Sequence, residues 1–285
     1  SGLISPLGKL RAAIEPLLPT TTDTDSIGEY VRSRFGNQIH ERLVDPLIGS
    51  IYATDSDNFS LAAVPQVAAL TASRSMLFAA GRARAAATKS PAGPIFSTPT
   101  RGLGALIELL TQRVTALGGR IVTGESVSTI EKVNAGYTIN TSRGQHFADA
   151  IVVASPAKPS SHFIRPLDSR AADLLGQWSH ASVVLITMAI PAAQWPARLK
   201  GSGYLVPKPD QRWVTAASFG SNKWAHWRPA DGSMILRVSL GRDGLDVMDF
   251  ADDKLINLAL ADMKRHLGID LAPQHVRLSR WNDSF

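Results

Sequence analysis

The 285 residues include no cysteine. Disulfides, thiolate metal ligation and a cysteine nucleophile are thereby excluded, and a reducing compartment, with the cytoplasm as the expected location, fits the composition. No apolar run approaches the roughly 18 to 20 residues a membrane-spanning helix needs, and the N-terminus lacks a basic stretch followed by an apolar one. The expectation is a soluble or peripheral protein. Acidic residues are missing between Asp57 and Glu108, an interval that carries Arg74, Arg82, Arg84, Lys89 and Arg101 among Leu, Ala, Met76 and Phe78. That stretch reads first as a solvated helix face followed by an Ala-rich loop, with a peripheral anionic membrane surface as the alternative partner. With only Phe78 and Phe96 as aromatic residues between Arg74 and Arg101 and no recognisable nucleic-acid-binding motif, nucleic acid is not expected as a partner.

What is present is ordinary globular material, 44% apolar and 19% charged with a net charge of +6, enough to bury a large core. Residues 1–90 read as mostly helical. Ser26 and Glu29 have capping-box spacing before Ile27, Tyr30, Val31 and Arg34, which form one stripe of a helix ending near Gly36. A second helix is predicted from Asn37 to Leu43, closed or bent by Pro46, and a third over 65–87. Pro91, Gly93, Pro94 and Pro99 mark a loop before a helix from Gly104 to Leu117. Strands are predicted at Ile121–Val127, Ser128–Val133, Tyr137–Thr141 and Ala150–Ala154, then at Val183–Ile190, Tyr204–Pro207, Trp213–Phe219 and Met234–Leu240. A last helix, Asp252–Leu267, puts Leu255, Leu258, Ala259, Met263 and Leu267 on one side. The fold class is α+β.

The seven histidines, at positions 40, 146, 162, 180, 226, 266 and 275, contain no i, i+4 pair, so no metal site is expected. No Gly-x-Ser-x-Gly elbow occurs. Gly102-Leu103-Gly104 starts like a dinucleotide fingerprint, but Ile107 stands where the third glycine belongs and no apolar strand precedes it. The residues alone describe a globular α+β protein without an assigned activity.

Four stretches resemble the protoporphyrinogen oxidase family, in order and over nearly the whole chain. The first is Ser5-Pro6-Leu7-Gly8-Lys9-Leu10-Arg11. The second, and most specific, runs from Ser26 through Tyr30, Val31, Arg34, Gly36, Asp45, Pro46 and Tyr52 to Asp55 and Ser60. The third leads from Thr100 through Leu106 to Gly119, Gly124 and Val127, and the fourth from Gly201 through Tyr204 and Pro207 to Phe219, Trp224, Arg237 and Gly241. Ser50 and Thr54 depart from the pattern, standing where the family usually has glycine.

The resemblance implies an oxygen-dependent flavoenzyme of haem biosynthesis that oxidises protoporphyrinogen IX or coproporphyrinogen III, with FAD as cofactor. It implies a helical, membrane- and substrate-facing block at 1–92, a portion of the FAD-binding α/β fold at 93–158, and a mixed-sheet substrate domain at 159–285. Val127 would contact the adenine end of FAD, and Ala154, Ser155 and Pro156 would lie close to the flavin. Phe219, Ile186, Ser202 and Ser239 would meet the tetrapyrrole, with Tyr52 and Ala53 on the opposite wall. No catalytic residue is assigned, because aromatisation of the macrocycle drives the oxidation without a strong general base. The family's glycine-rich βα unit and its C-terminal flavin residues have no counterpart in the chain, so the expectation is a segment that neither retains FAD nor turns over alone. A homo-oligomer is compatible with the resemblance. Two other readings remain beside it: another flavin amine oxidase, such as a carotenoid desaturase, and a flavin-free module binding porphyrin or a lipid surface.

Overall fold

A computed structural model describes residues 2–19, 24–86 and 96–285. Lys89 and the breakers Pro91, Gly93 and Pro94 lie outside the described residues. The chain divides into two compact units, Ser1–Pro94 with Ala181–Phe285, and Ile95–His180.

In the first unit, α1 (Pro6–Ala13) is capped by Ser5, whose Oγ accepts from the Gly8 amide at 3.1 Å. α2 (Ile27–Phe35) is capped by Ser26 through the Glu29 amide, as the spacing predicts, and stops at Gly36 with φ +84°. The short α3 (Asn37–Ile39) runs into a π-helical turn, His40–Val44, and then α4 (Asp45–Tyr52). Pro46 does not close the helix, the first of the two outcomes expected of it. It lies instead in the first turn of α4, where its missing N–H leaves no bond unmade. The single helix expected over 65–87 is two, α5 (Pro65–Thr71) and α6 (Met76–Ala86). The break has a visible cause: the Arg74 carbonyl accepts from Arg34 Nη2 at 2.6 Å, and Ser75 caps the new helix through the Phe78 amide.

The second unit contains α7 (Gly104–Ala116), an antiparallel sheet of β1 (Val127–Val133), β2 (Gly136–Thr141) and β3 (Gly144–Ala148), then α8 (Ala157–Ile164) and α9 (Ser169–Gly176). The strands expected at 121–126 and 150–154 do not form. Among the described residues no neighbouring strand pairs with either segment, and an extended chain without a ladder partner is not a strand.

The first unit resumes with β4 (Val183–Ile190), β5 (Gly203–Leu205), β6 (Val214–Phe219), α10 (Gly220–Lys223), β7 (Met234–Leu240), α11 (Asp252–Leu267) and β8 (His275–Trp281). The strand order is β5-β6-β7-β4-β8. A mixed sheet was expected here, but every neighbouring pair is antiparallel. That arrangement lets one face pack on a core while the other stays partly open. The packed face carries Val184, Ile186, Met188, Val214, Leu236 and Val238 against Leu255, Ala259 and Met263 of α11. Each such fully buried aliphatic side chain contributes roughly 1.5–3 kcal/mol. A second cluster, built on Ile27, Val31, Ile48 and Met76, holds the helical layer together. Helices gathered beside antiparallel sheets make the chain α+β. Among the described residues no helix is long and apolar enough to cross a membrane.

Candidate functional site

The five-stranded sheet fixes which predicted residues share a surface. Ile186 is opposite Val238 and Leu278, on the face covered by α11, and is fully buried. Phe219 belongs to the same core at 3% exposure, its ring met edge-on by Trp195 at 4.8 Å and Tyr204 at 6.1 Å. Ser239 pairs with Leu185 and Ala216 and therefore lies on the opposite, half-open face. Ser202 is exposed and joined to Phe219 through the backbone, its carbonyl accepting from the Phe219 amide at 3.0 Å. Ser239 is thus separated from Ile186 and Phe219 by the thickness of the sheet, although all three are near neighbours along it.

Tyr52 and Ala53 come from the end of α4, which packs against β5 and β6. Tyr52 stacks at a tilt on Phe59, centroids 4.8 Å apart, and stays partly exposed. Ala53 is buried in the left-handed conformation, φ 52° and ψ 35°, where a residue with a Cβ is disfavoured. Its carbonyl accepts from the Asp243 amide at 2.8 Å. Gly49 is required one turn earlier, since a Cβ there would stand 2.6 Å from Arg242 Nη1.

A charge network secures that loop to the sheet. Arg242 Nη1 donates to Asp45 Oδ2 at 3.0 Å, both side chains almost fully buried, and Lys208 Nζ donates to both oxygens of Asp55 and to Asp57. The Lys208 ammonium holds Asp55 below the usual carboxylate range despite burial, which alone would raise it. Asp45 Oδ1 accepts from Ser56 Oγ at 2.7 Å, so His40 Nε2, 2.8 Å from the same hydroxyl, is its donor. Nδ1 then accepts from Arg32 Nη1 at 3.2 Å, which assigns the neutral Nε2–H tautomer. Burial lowers the His40 pKa, and the Arg32 and Lys208 charges add to this against the opposing pull of Asp57 and Asp45. None of these residues was a candidate from the sequence. The one available signal was Asp55-Ser56-Asp57 close after Asp45-Pro46, whose partners lie more than 150 positions away.

The four predicted flavin residues are in the second unit. Val127 opens β1 at 41% exposure, and Ala154, Ser155 and Pro156 form the exposed approach to α8. Ser155 Oγ is 2.8 Å from Ser160 Oγ, and no side chain caps the α8 N-terminus. These open side chains and amides suit the edge of a flavin nucleotide. Among the described residues, no glycine-rich strand-to-helix turn accompanies them to take a pyrophosphate. Two clefts, of about 410 Å³ between α8 and α9 and about 340 Å³ beside Trp195 and Asn222, are lined by none of the predicted residues.

Residues 4–285 match the model of the flavin containing amine oxidoreductase family, and the chain belongs to that family. Within it, the chain is 28% identical to the coproporphyrinogen III oxidase of Bacillus subtilis (strain 168), covering 100% of this chain and 62% of that protein. It is 25% identical to a chloroplastic protoporphyrinogen oxidase of Oryza sativa subsp. japonica, over 93% of this chain and 54% of the relative. A crystal structure from Exiguobacterium sp. 255-15, with protoporphyrinogen oxidase as its proposed identity, superposes with a TM-score of 0.79 at 27% identity, over 99% of this chain and 61% of that one. The chain therefore spans less than two thirds of the length of these relatives.

Proposed function

We propose that the chain provides the substrate-holding structure, and part of the flavin-holding structure, of an FAD-dependent porphyrinogen oxidase of haem biosynthesis. The likeness to a coproporphyrinogen III oxidase over the whole chain carries this reading. In it, residues 1–92 form the helical substrate- and lipid-facing block, 93–158 a portion of the FAD fold, and 159–285 the substrate domain. FAD, if bound, would supply the two-electron acceptor for oxidation of the macrocycle, with dioxygen as the final oxidant. Val127 would hold its adenine end, and Ala154, Ser155 and Pro156 would border the flavin.

The chain's own part is to bind, orient and keep water out. Tyr52, Ser202 and Ser239 offer surface to the macrocycle, while Ala53, Phe219 and Ile186, being buried, set the shape of the wall and sheet beneath. Each two-electron step also releases a proton, which solvent can take, and with ring aromatisation as driving force no strong general base is required of the chain. The substrate is protoporphyrinogen IX or coproporphyrinogen III. The test is porphyrin fluorescence formed from each porphyrinogen with added FAD, using the chain as it stands and as encoded with whatever flanks it in its gene. We expect the chain as it stands to purify colourless and inactive. Absence of oxidation in both forms would overturn the assignment.

A peripheral lipid contact is favoured by one observation: α6 exposes Leu77 and Phe78 beside Arg82 and Arg84, with no acidic residue in the helix. Each cation close to an anionic leaflet contributes about 1 kcal/mol. Salt-sensitive co-sedimentation with anionic vesicles is expected, weakened by changing Arg74, Arg82 and Arg84 to Ser. Equal, negligible pelleting of both proteins would refute it.

A further inference from the structure

The half-open face of the five-stranded sheet carries a row that the proposed function leaves unused. Thr187 at the centre of β4 pairs directly with Arg237 on β7 and with Arg277 on β8, and Arg237 pairs with Ser218 on β6. Directly paired residues point to the same side, so Ser218, Arg237, Thr187 and Arg277 form one line across four strands. Their neighbours one position along, among them Ile186, Val238 and Leu278, belong to or pack on the buried core, which places the line on the other face. The next row on that face is Ser239, Leu185 and Ser279. The face is therefore a strip of hydroxyls and small apolar side chains crossed by two guanidinium groups about 10 Å apart at their Cα atoms, two strand spacings.

Several cations of this unit, among them Arg242, Lys208, Arg265 and Arg280, each have a carboxylate partner. Arg237 and Arg277 are exposed, and among the described residues neither has one. Arg237 is nonetheless placed: its guanidinium lies 5.2 Å from the centroid of the Trp227 ring, a cation–π contact that restrains it while leaving its N–H groups unspent. Trp227 is itself seated on Gly220, where any Cβ would meet the indole at 2.0 Å. A guanidinium fork without a counter-charge matches a carboxylate in shape and charge.

We infer that Arg237 and Arg277 bind the peripheral carboxylates of the tetrapyrrole, with the ring lying over the Leu185–Ser239 part of the same face. This rests on the porphyrinogen oxidase reading and adds to it the residues that recognise substrate charge. It predicts a preference for free-acid tetrapyrroles over their esters.

The experiment is a titration of the purified chain with coproporphyrin III, with protoporphyrin IX and with coproporphyrin III tetramethyl ester, read by quenching of tryptophan fluorescence. Wild type, Arg237→Leu, Arg277→Leu and the double variant are compared, with circular dichroism confirming that each is folded. Wild type should bind the free tetracarboxylate about a hundredfold tighter than its ester, about tenfold from each arginine. Each single variant should lose about tenfold for the acid and little for the ester, and the double variant should bind acid and ester alike. A folded double variant that still prefers the acid as wild type does would overturn the arginine assignment and leave the porphyrinogen reading standing. Failure of wild type to bind any of the three porphyrins would remove both.

Discussion

The two units spend their apolar residues differently. In the first, α11 lies on the five-stranded sheet, and the buried cluster runs from Val184 to Met263 with a second cluster under α2 and α4. In the second, Ile130 and Ala172 are the buried apolar side chains among the described residues, and α7 has none. Leu106, Ile107, Leu109 and Leu110 are each about half exposed or more. Closing a layer, helix on sheet, converts apolar composition into stability. An uncovered apolar helix leaves the same residues as surface that favours association.

The sharpest way to break this contrast is at the buried ion pair of the first unit. Glu15 and Arg34 are fully buried, and Arg34 also donates to the carbonyls of Pro19 and Arg74 at 2.6 Å. Arg34→Leu strands the Glu15 charge and should cost about 3–5 kcal/mol. In denaturant titrations the transition of the first unit should shift and that of the second should not. A common shift would show that the two units unfold as one.

Core truncation comes next. Leu236→Ala should destabilise by about 2–5 kcal/mol, whereas Leu109→Ala on α7 should stay within about 0.5 kcal/mol. Comparable losses at both positions, measured by thermal melting, would end the contrast.

Acidity gives a smaller, directed effect. Burial lowers the His40 pKa in the folded state, so the neutral ring contributes stability that is fully present above the ordinary value of 6.5. That contribution is lost as pH falls through this value toward the lower, folded one. Asp55, Glu15 and Asp262, whose pKa values are also lowered, lose theirs only in the ordinary carboxylate range below it. Stability of the first unit should fall as pH drops below 6.5, with His266, whose pKa burial also lowers, contributing in the same range, and His40→Gln should make that part of the curve shallower. An unchanged slope in the variant would show that another group titrates there. The smallest expected effect is Ile107→Ser, which should reduce binding of a hydrophobic dye to the second unit without moving either transition. Unchanged dye binding would place the apolar surface elsewhere.

How far the sequence was readable follows the same division between local and distant causes. The Ser26 cap and the cores of β4, β6 and β7 are set by neighbours a few residues away and form where the pattern puts them, while α11 brings Ile256 and Leu260, rather than Leu258, to the core beside Leu255, Ala259 and Met263. α8 and α9 were missed because Pro159 and short apolar spacing weaken their pattern, and β8 because His275, Arg277 and Arg280 dilute its alternation. The break between α5 and α6 depends on Arg34, forty positions away. Among the site residues, Tyr52 and Ala53 are adjacent at the end of α4, Tyr52 partly exposed and Ala53 buried. The separation of Ser239 from Ile186 onto opposite faces follows from strand parity, which the sequence does offer: odd and even positions on paired strands cannot face the same way.

One contact reaches beyond the finished fold. Glu15 accepts from Ser75 Oγ at 2.6 Å and from the Met76 amide at 3.0 Å, so the start of α6 is closed by a residue sixty positions earlier. The first turn of a helix is the costly one, and here the groups that complete it arrive only after a long loop has been drawn shut. α6 should therefore be a late event in the assembly of the chain. Glu15→Gln would be expected to accelerate unfolding far more than it slows refolding.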